Sequence, residues 1–213
     1  MSFFFIDDTS GLSPVTYVGT AESTGANITI PATAQSGDIA VLYDAALNSS
    51  GSPTLVTPAG WTNKVNSTLV TNYRAAVCVK VLDGSDAGMS ITGMSGTSEN
   101  SKQMLVFRPA TVAGSVTFST FNTEYSSGNP SAQVAAASGQ TPPVIVLGGC
   151  GTRGTPVFSS VSPAFDAQVT PSHGRLRMGY KIYDIGGTPA DHTVDMNDLG
   201  NPNHLWSGYV TLA

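Results

Sequence analysis

Two stretches of the chain alternate apolar and polar side chains with a period of two. They read NYRAAVCVKVLDG (residues 72–84) and GRLRMGYKIYDIGG (residues 174–187), and both place an Arg, a Lys and an Asp at the same spacing. An alternation of this period with one apolar side is typical of a β-strand half-buried against a core. The apolar faces consist of Ala75, Val77, Val79 and Val81 in the first stretch and of Leu176, Met178, Tyr180 and Ile182 in the second.

The rest of the sequence has the same character. Short apolar or β-branched runs are separated by turns rich in Gly and Pro, and helix signals are nearly absent. This pattern predicts an all-β fold, an antiparallel β-sandwich. The predicted strands are Thr16–Gly19, Asn27–Ile30, Asp38–Asp44, Thr68–Leu82, Met89–Thr92, Gln103–Arg108, Ser115–Phe121, Ala132–Ala136, Val144–Gly148, Ala167–Thr170, Arg175–Asp184, Thr193–Met196 and Leu205–Leu212.

Four segments of the sequence recur in the same order. Besides the two alternating stretches, DIAVLYDA (38–45) matches PVIVLGGC (143–150), TPAGWTNKV (57–65) matches SPAFDAQV (162–169), and QMLVFRPA (103–110) matches WSGYVTLA (206–213). We interpret residues 37–110 and 142–213 as two related halves joined by segment 111–141. One half alone leaves an apolar sheet face uncovered, so we predict a single jelly-roll-like domain over 15–213. Two separate small domains are the alternative.

The composition limits the partners that the chain is expected to bind. Only 11% of the 213 residues are Asp, Glu, Lys or Arg, whereas about 25% is usual for soluble domains. The surface must then consist largely of Ser, Thr, Asn, Gly and Ala, which suits close packing against neighbouring molecules. A net charge of −5 argues against nucleic acid as a direct partner. No apolar stretch of about 18 residues predicts a membrane span, and no secretory signal is recognisable.

No motif predicts a catalytic, metal or cofactor site. GCGTRG (149–154) has the form GxGxxG, but no helical pattern follows it, so we expect a glycine-rich turn between strands. DHTVDMNDLGN (191–201) is rich in Asp and Asn but departs from the EF-hand pattern. With Gly200 at the sixth loop position, the fifth is Leu199 and the twelfth is Trp206, so the segment is expected to be an Asx-rich turn. Two cysteines are too few for a disulfide scaffold. The three histidines, His173, His192 and His204, lie in loop-like polar contexts and are expected at the surface or in turns.

Three features are candidates for binding surfaces. The N-terminal arm, residues 1–14, carries the apolar cluster Phe3, Phe4, Phe5 and Ile6, which we expect to be either the first strand or an arm that docks into a neighbouring subunit. Basic residues on the polar faces of the two alternating strands form one patch if those strands are neighbours, either a solvated sheet face or a docking face for an acidic partner. They are Arg74, Lys80, Arg175, Arg177 and Lys181. Among the aromatic residues, Tyr125 and Trp206 are candidates for a glycan-stacking platform, although core packing is the commoner role.

Several short motifs resemble a known family. They are Gly37-Asp38 before an apolar strand, Pro58-Ala59-Gly60-Trp61-Thr62, the strand Tyr73–Leu82 followed by Asp83-Gly84, and Val106-Phe107-Arg108. Together they resemble a β-sandwich module of tailed-bacteriophage virion proteins, of the capsid-decoration, head-fibre or tail-fibre type. The resemblance covers 37–110 well and the second half more loosely, because Pro142-Pro143 replaces Gly-Asp there and Phe165 replaces Trp.

The resemblance implies a structural role on the virion surface and no enzymatic activity. We therefore predict a capsid decoration or spike subunit, made in the host cytoplasm, that forms a homo-oligomer and binds virion proteins such as the major capsid protein. No cofactor, nucleic acid or membrane is expected. The alternative is a receptor-binding tail-fibre module whose ligand is a host glycan.

Overall fold

The fold is all-β, as the sequence predicts. The computed structural model describes residues 15–47, 53, 56–70, 73–93, 99–110, 114–126, 130–152, 154–197 and 203–213. Within these ranges the chain forms sixteen strands in antiparallel sheets and contains no helix, hence none that is able to cross a membrane. The strands are β1 Val15–Ser23, β2 Asn27–Thr29, β3 Ile39–Leu47, β4 Thr62–Val70, β5 Tyr73–Val81, β6 Ser90–Thr92, β7 Glu99–Pro109, β8 Val116–Phe118, β9 Asn122–Ser126, β10 Gln133–Ala135, β11 Val144–Thr152, β12 Phe158–Ser162, β13 Ala167–Val169, β14 Leu176–Tyr183, β15 His192–Met196 and β16 Asn203–Leu212.

Two large sheets form the middle of the molecule. The first central sheet has the strand order β1-β7-β3-β5-β4, and the second has the order β13-β14-β11-β16, with β8 and β9 both paired to β16. Their facing sides form one apolar core, which includes Val41, Val77 and Leu105 from the first sheet and Ile145, Met178 and Trp206 from the second. Packing two apolar sheet faces against each other is what makes the sandwich stable.

Each central sheet is also covered on its other side. The first cover, the two strands β2 and β6, packs through Ile28 and Ile91 on the outer face of the first central sheet. The second cover, the sheet β10-β15-β12, packs through Phe158 and Val194 on the outer face of the second. The molecule thus has four layers. Every residue of β11 is buried, and all but Thr152 at its end are apolar or glycine.

The two alternating stretches are β5 and β14, and their apolar faces lie in the central core except at Val81, which is exposed. The predicted strands differ from the observed ones in several places: β9 and β12 were not predicted, and most strand ends shift. Segment 68–82 is not one strand, because β4 and β5 meet there and pair antiparallel; alternation continues on both sides of the reversal and does not reveal it. Strand β11 runs on to Thr152 instead of ending at Gly148.

The strand orders of the two central sheets correspond when strands are matched by the sequence repeat: β7-β3-β5-β4 in one and β16-β11-β14-β13 in the other. One of the four matched segments is out of step, however. It aligns Tyr43 with Gly148, but Tyr43 lies in the central core while Gly148 faces Phe165 and Val194 on the outer side. A slip of one residue exchanges the two faces of a strand. Duplication of one half, and the jelly-roll detail, therefore stay predictions.

Candidate functional site

The five predicted basic residues do not form one patch. Strands β5 and β14 belong to different sheets, and their polar faces point outward in opposite directions, since their apolar faces meet in the central core. Arg74 and Lys80 therefore lie on the outer side of the first central sheet, and Arg175, Arg177 and Lys181 on the outer side of the second. The expected single docking face is corrected to two separate groups.

Several cations are already engaged within the molecule. The Lys80 ammonium contacts the Asp86 carboxylate at 2.6 Å, and Lys181 contacts Asp166 at 2.9 Å. On the outer face of the first central sheet Arg108 binds Asp38 through two nitrogens, each at 2.8 Å, and this bidentate pairing raises the Arg108 pKa further. These three cations are therefore neutralised by carboxylates of the same chain.

The proposed glycan platform is also corrected, because both rings are in the central core. Trp206 has no exposed surface, stacks on Phe121 at 5.6 Å between ring centroids and meets Tyr43 edge to face. Tyr125 is 9% exposed and packs against Tyr73. A sugar-stacking residue must present its ring face to solvent, and neither ring does so. Both aromatic residues therefore have the commoner role, which is packing in the core.

The glycine run at residues 148–151 is part of β11 and not a turn. A Cβ at Gly149 would overlap the Trp206 ring, and one at Gly151 would crowd the Tyr43 hydroxyl. Gly148 leaves room on the other face for Phe165. The glycines are thus explained by close approach of aromatic rings, from the adjacent strand of the same sheet for Trp206 and from the layers on either side for Tyr43 and Phe165, and no nucleotide-binding loop is formed there.

Two histidines that were expected at the surface or in turns are buried in strands. His204 on β16 has no exposed surface; its Nδ1 lies 2.7 Å from the Tyr43 hydroxyl and its Nε2 2.9 Å from the Thr123 hydroxyl. Burial lowers the pKa of His204 to about 3, so the ring is neutral and links the two central sheets. His192 on β15 is likewise buried and lies 2.8 Å from the Tyr183 hydroxyl; the segment predicted as an Asx-rich turn is therefore partly strand.

The third histidine joins the sheets at their edge. His173 lies 2.9 Å from the Ser101 hydroxyl through Nδ1 and 3.2 Å from the Lys102 carbonyl through Nε2. Glu22 on β1 accepts two hydrogen bonds from Ser172 at 2.6 Å, which lower its pKa. Ser101 is 4% exposed, so this Ser–His contact is too enclosed to act on a substrate and serves to fasten one sheet to the other.

The feature that the sequence analysis missed is a buried ion pair. Lys102 Nζ lies 2.8 Å from Asp44 Oδ1, and the two side chains are 0% and 1% exposed. The residues are opposite each other on β7 and β3. Both residues are on strand faces whose neighbouring residues are apolar. Asp44 lies between Leu42 and Ala46 on one face of β3, and Lys102 precedes Met104 on the same face of β7. That intrusion of charge into an apolar face was the available signal.

The same ladder position in the second central sheet is apolar. The sequence repeat aligns Ala76 on β5 with Arg177 on β14. Asp44 on β3 pairs with Ala76, and Cys150 on β11 pairs with Arg177, so Asp44 and Cys150 occupy the same place in the two sheets. Across the next pair of strands Asp44 faces Lys102, and Cys150 faces Leu205. Cys150 and Leu205 are both fully buried. We call these two pairs, Asp44–Lys102 and Cys150–Leu205, ladder-equivalent.

One cleft opens on the outer side of the first central sheet. Its volume is about 460 Å³, and it lies between the segment 56–61 and the turn that precedes β6. Met89, 47% exposed, gives it an apolar wall, while Trp61 at 7% shows little of its ring. Lys80, Asp83 and Asp86 supply charged groups, and hydrogen bonds from Ser85 hold the pKa of Asp83 below its usual range.

Neither thiol nor any metal-binding cluster offers further chemistry in the part of the chain that is described. Cys78 and Cys150 are free and buried, and burial raises the pKa of Cys78 to about 12 and that of Cys150 still higher. The described residues contain no group of three His, Cys, Asp or Glu side chains arranged to hold a metal ion. Residues Phe3, Phe4, Phe5 and Ile6 of the predicted arm lie outside the described ranges.

Comparison of the chain with protein-family models, with curated proteins and with solved structures found no match.

Proposed function

We propose that this protein is a structural subunit on the surface of a tailed-phage virion, a capsid decoration or spike protein that works by binding the coat and its own copies. The observation that carries the proposal is the low content of charged residues in a four-layered β fold. Only 11% of the residues are charged, and within the described ranges Lys80, Lys102, Arg108 and Lys181 make ion pairs.

A surface of this kind is suited to permanent contacts. Burying a charged side chain at an interface requires removing its water, which costs free energy unless a partner compensates it. A surface of short polar and apolar side chains avoids that cost, and interface centres are depleted in charged residues for the same reason. The described exterior also exposes large apolar side chains at separate places, namely Val81, Met89, Val134 and Ile185.

The edge strand β1 of the first central sheet suggests a second way in which subunits assemble. Strand β1 is an edge strand, and its first residue, Val15, donates its backbone N–H to Asp184 of the second sheet at 3.1 Å. The described part of the chain thus begins at a point where β1 is held against the second central sheet. The apolar cluster of the predicted arm, Phe3–Ile6, is suited to docking on another subunit.

The alternative, a receptor-binding module, keeps one supporting observation. The cleft beside Met89 combines an apolar wall with carboxylates and hydroxyls, and a few well-placed polar groups in a concave site are typical of small-ligand recognition. Glycan binding would then use this cleft and not Tyr125 or Trp206. An Asp86→Asn exchange should weaken glycan capture on an array if this alternative is correct.

The deciding experiment counts copies of the protein in purified virions. Quantitative mass spectrometry against the major capsid protein, with gold labelling of the particles, gives number and place. Decoration predicts a copy number matched to coat subunits or vertices and labelling over the head. A few copies at the tail would favour the receptor-binding alternative, and absence from purified particles would refute both.

A further inference from the structure

We propose that Asp44 and Lys102 condense to an intramolecular isopeptide bond, so that the mature protein carries a covalent cross-link between β3 and β7. The inference starts from the distance of 2.8 Å between Lys102 Nζ and Asp44 Oδ1 and from the complete burial of both side chains. The carboxyl carbon lies one C–O bond, about 1.23 Å, from the oxygen that the amine already contacts.

The backbone holds the two groups together. Asp44 and Lys102 are directly opposite each other in register on neighbouring antiparallel strands. Strand β3 is itself enclosed by β5 and β7, and β7 by β1 and β3, so neither strand is free to move away. Fixing an amine and a carboxyl group at contact distance replaces an encounter in solution by an effective concentration of about 10⁵ M or more.

The surroundings exclude water from the pair. The side chains lie in the same apolar layer as Leu42 and Met104, under the first cover. Gly93 sits directly against them: a Cβ there would overlap Asp44 Oδ2 and lie 2.8 Å from Lys102 Cε. Hydrolysis of an amide consumes water, so a dry site favours the bond once it has formed, and condensation removes two buried charges that are costly to desolvate.

The reaction needs no other reactant. A proton passes from the Lys102 ammonium to the Asp44 carboxylate, which leaves a neutral amine and a neutral carboxylic acid. The amine lone pair attacks Asp44 Cγ and the N–C bond forms. The Cγ–O bond of the hydroxyl then breaks, and that oxygen leaves as water with a proton from the nitrogen. One ammonium and one carboxylate become one amide and one water molecule, with no change in oxidation state.

The other described ion pairs lack these conditions. Arg108 presents a guanidinium that stays protonated and is not a nucleophile. The Lys181–Asp166 pair is exposed, with side chains 26% and 41% accessible. In the Lys80–Asp86 pair the carboxylate also accepts a hydrogen bond from the Asp83 backbone in a turn, and the Lys80 side chain is 16% accessible. The apolar ladder-equivalent pair Cys150–Leu205 indicates that packing at this position does not require charge.

Intact-mass spectrometry of the denatured full-length chain tests the proposal. We expect the wild-type mass to be lower than the sequence mass by one water molecule. Digestion should yield a branched peptide that joins the segments around Asp44 and Lys102. The Asp44→Asn variant should lose ammonia instead and converge on the same final mass as the wild type, because both reactions give the same amide.

Two controls make the result specific. Lys102→Arg keeps the charge but removes the amine and should show the full sequence mass. Asp83→Ala removes the Asp83-Gly84 step, which is able to lose water by closing on the backbone nitrogen, and this variant should still show the loss. A wild-type mass equal to the sequence mass overturns the proposal. So does a water loss that persists in Lys102→Arg or that peptide mapping places elsewhere.

Discussion

The outer faces of the two central sheets solve the same packing problem with opposite chemistry. At one ladder position the first sheet buries an Asp–Lys pair and the second buries Cys150 against Leu205. Close to it, the first sheet has Cys78 where the second has Gly179, and the space at Gly179 is filled by Phe165. Equal strand order therefore does not impose equal side-chain chemistry.

This contrast shows that the backbone determines which residues are neighbours but not whether they are charged or apolar. Strand pairing decides that two opposite residues touch and share a face, and both sheets obey this. Whether the pair is charged or apolar depends on what covers it, and the covers differ: two short strands on one side and a three-stranded sheet on the other. A buried ion pair is weak evidence for stability, since a well-packed apolar pair often replaces it without loss.

The largest effect is expected from removing one charge of the buried pair. Lys102→Met leaves the Asp44 carboxylate buried without its partner and should lower the free energy of unfolding by about 3–5 kcal/mol relative to the chain in which the amide has not formed, and by more relative to the cross-linked chain. Lys181→Met, at the exposed pair of the second sheet, is the matched control and should cost less than about 1 kcal/mol. Urea denaturation measures both. Equal costs for the two variants would contradict the contrast between the sheets.

Acid should weaken the molecule through the second sheet. The pKa of His204 in the folded chain is lowered to about 3. Between about pH 3 and pH 6.5 the unfolded chain therefore has this histidine protonated, whereas the folded chain keeps it neutral. Its stabilising contribution is complete above about pH 6.5, the ordinary value, and is lost as the pH falls towards 3. The slope from this one group approaches about 1.4 kcal/mol per pH unit.

His204→Gln keeps one donor and one acceptor but does not titrate in this range, so its unfolding free energy should depend much less on pH. Chemical denaturation at a series of pH values between 7 and 4 measures the slope for both proteins. Identical slopes in the wild type and the variant would show that His204 is not the group responsible.

The next largest effect is expected from adding a methyl group at a tightly packed glycine of the second central sheet. Gly179→Ala places a methyl group where the Phe165 ring lies, and overpacking of this kind costs about 1–3 kcal/mol. Gly84→Ala is the control, since a Cβ there meets nothing within 4 Å, and it should change stability by less than about 0.5 kcal/mol. Thermal unfolding monitored by circular dichroism is sufficient, and a tolerated Gly179→Ala would mean that Phe165 moves aside freely.

The smallest effect is expected when the first sheet is given the chemistry of the second. Asp44→Cys combined with Lys102→Leu copies the ladder-equivalent pair and should be more stable than Lys102→Met, within about 1.5 kcal/mol of the wild-type chain in which the amide has not formed. The measurement is a double-mutant cycle in urea under reducing conditions. A double variant no better than the single ones would show that the first cover cannot close over an apolar pair.

Much of the fold was predictable from alternation, because a period of two identifies both the strand and the face that is buried. It found β5, β14 and two of the three linking strands, β8 and β10, but not β9, and it assigned Val77 and Met178 to a core. It did not find the candidate cross-link, since Asp44 and Lys102 are separated by 58 residues and only strand pairing makes them neighbours. The docking role of Phe3–Ile6 stays a prediction.

Alternation and composition alone establish that this chain forms strands, that one side of each central strand is apolar, and that few residues are charged. Three features follow only from how the layers pack: Trp206 and Tyr125 lie inside, the glycines of β11 are part of a strand, and the basic residues are divided between opposite faces. The physical reason is that alternation specifies a side of a strand, whereas burial of that side depends on which layer comes to rest against it.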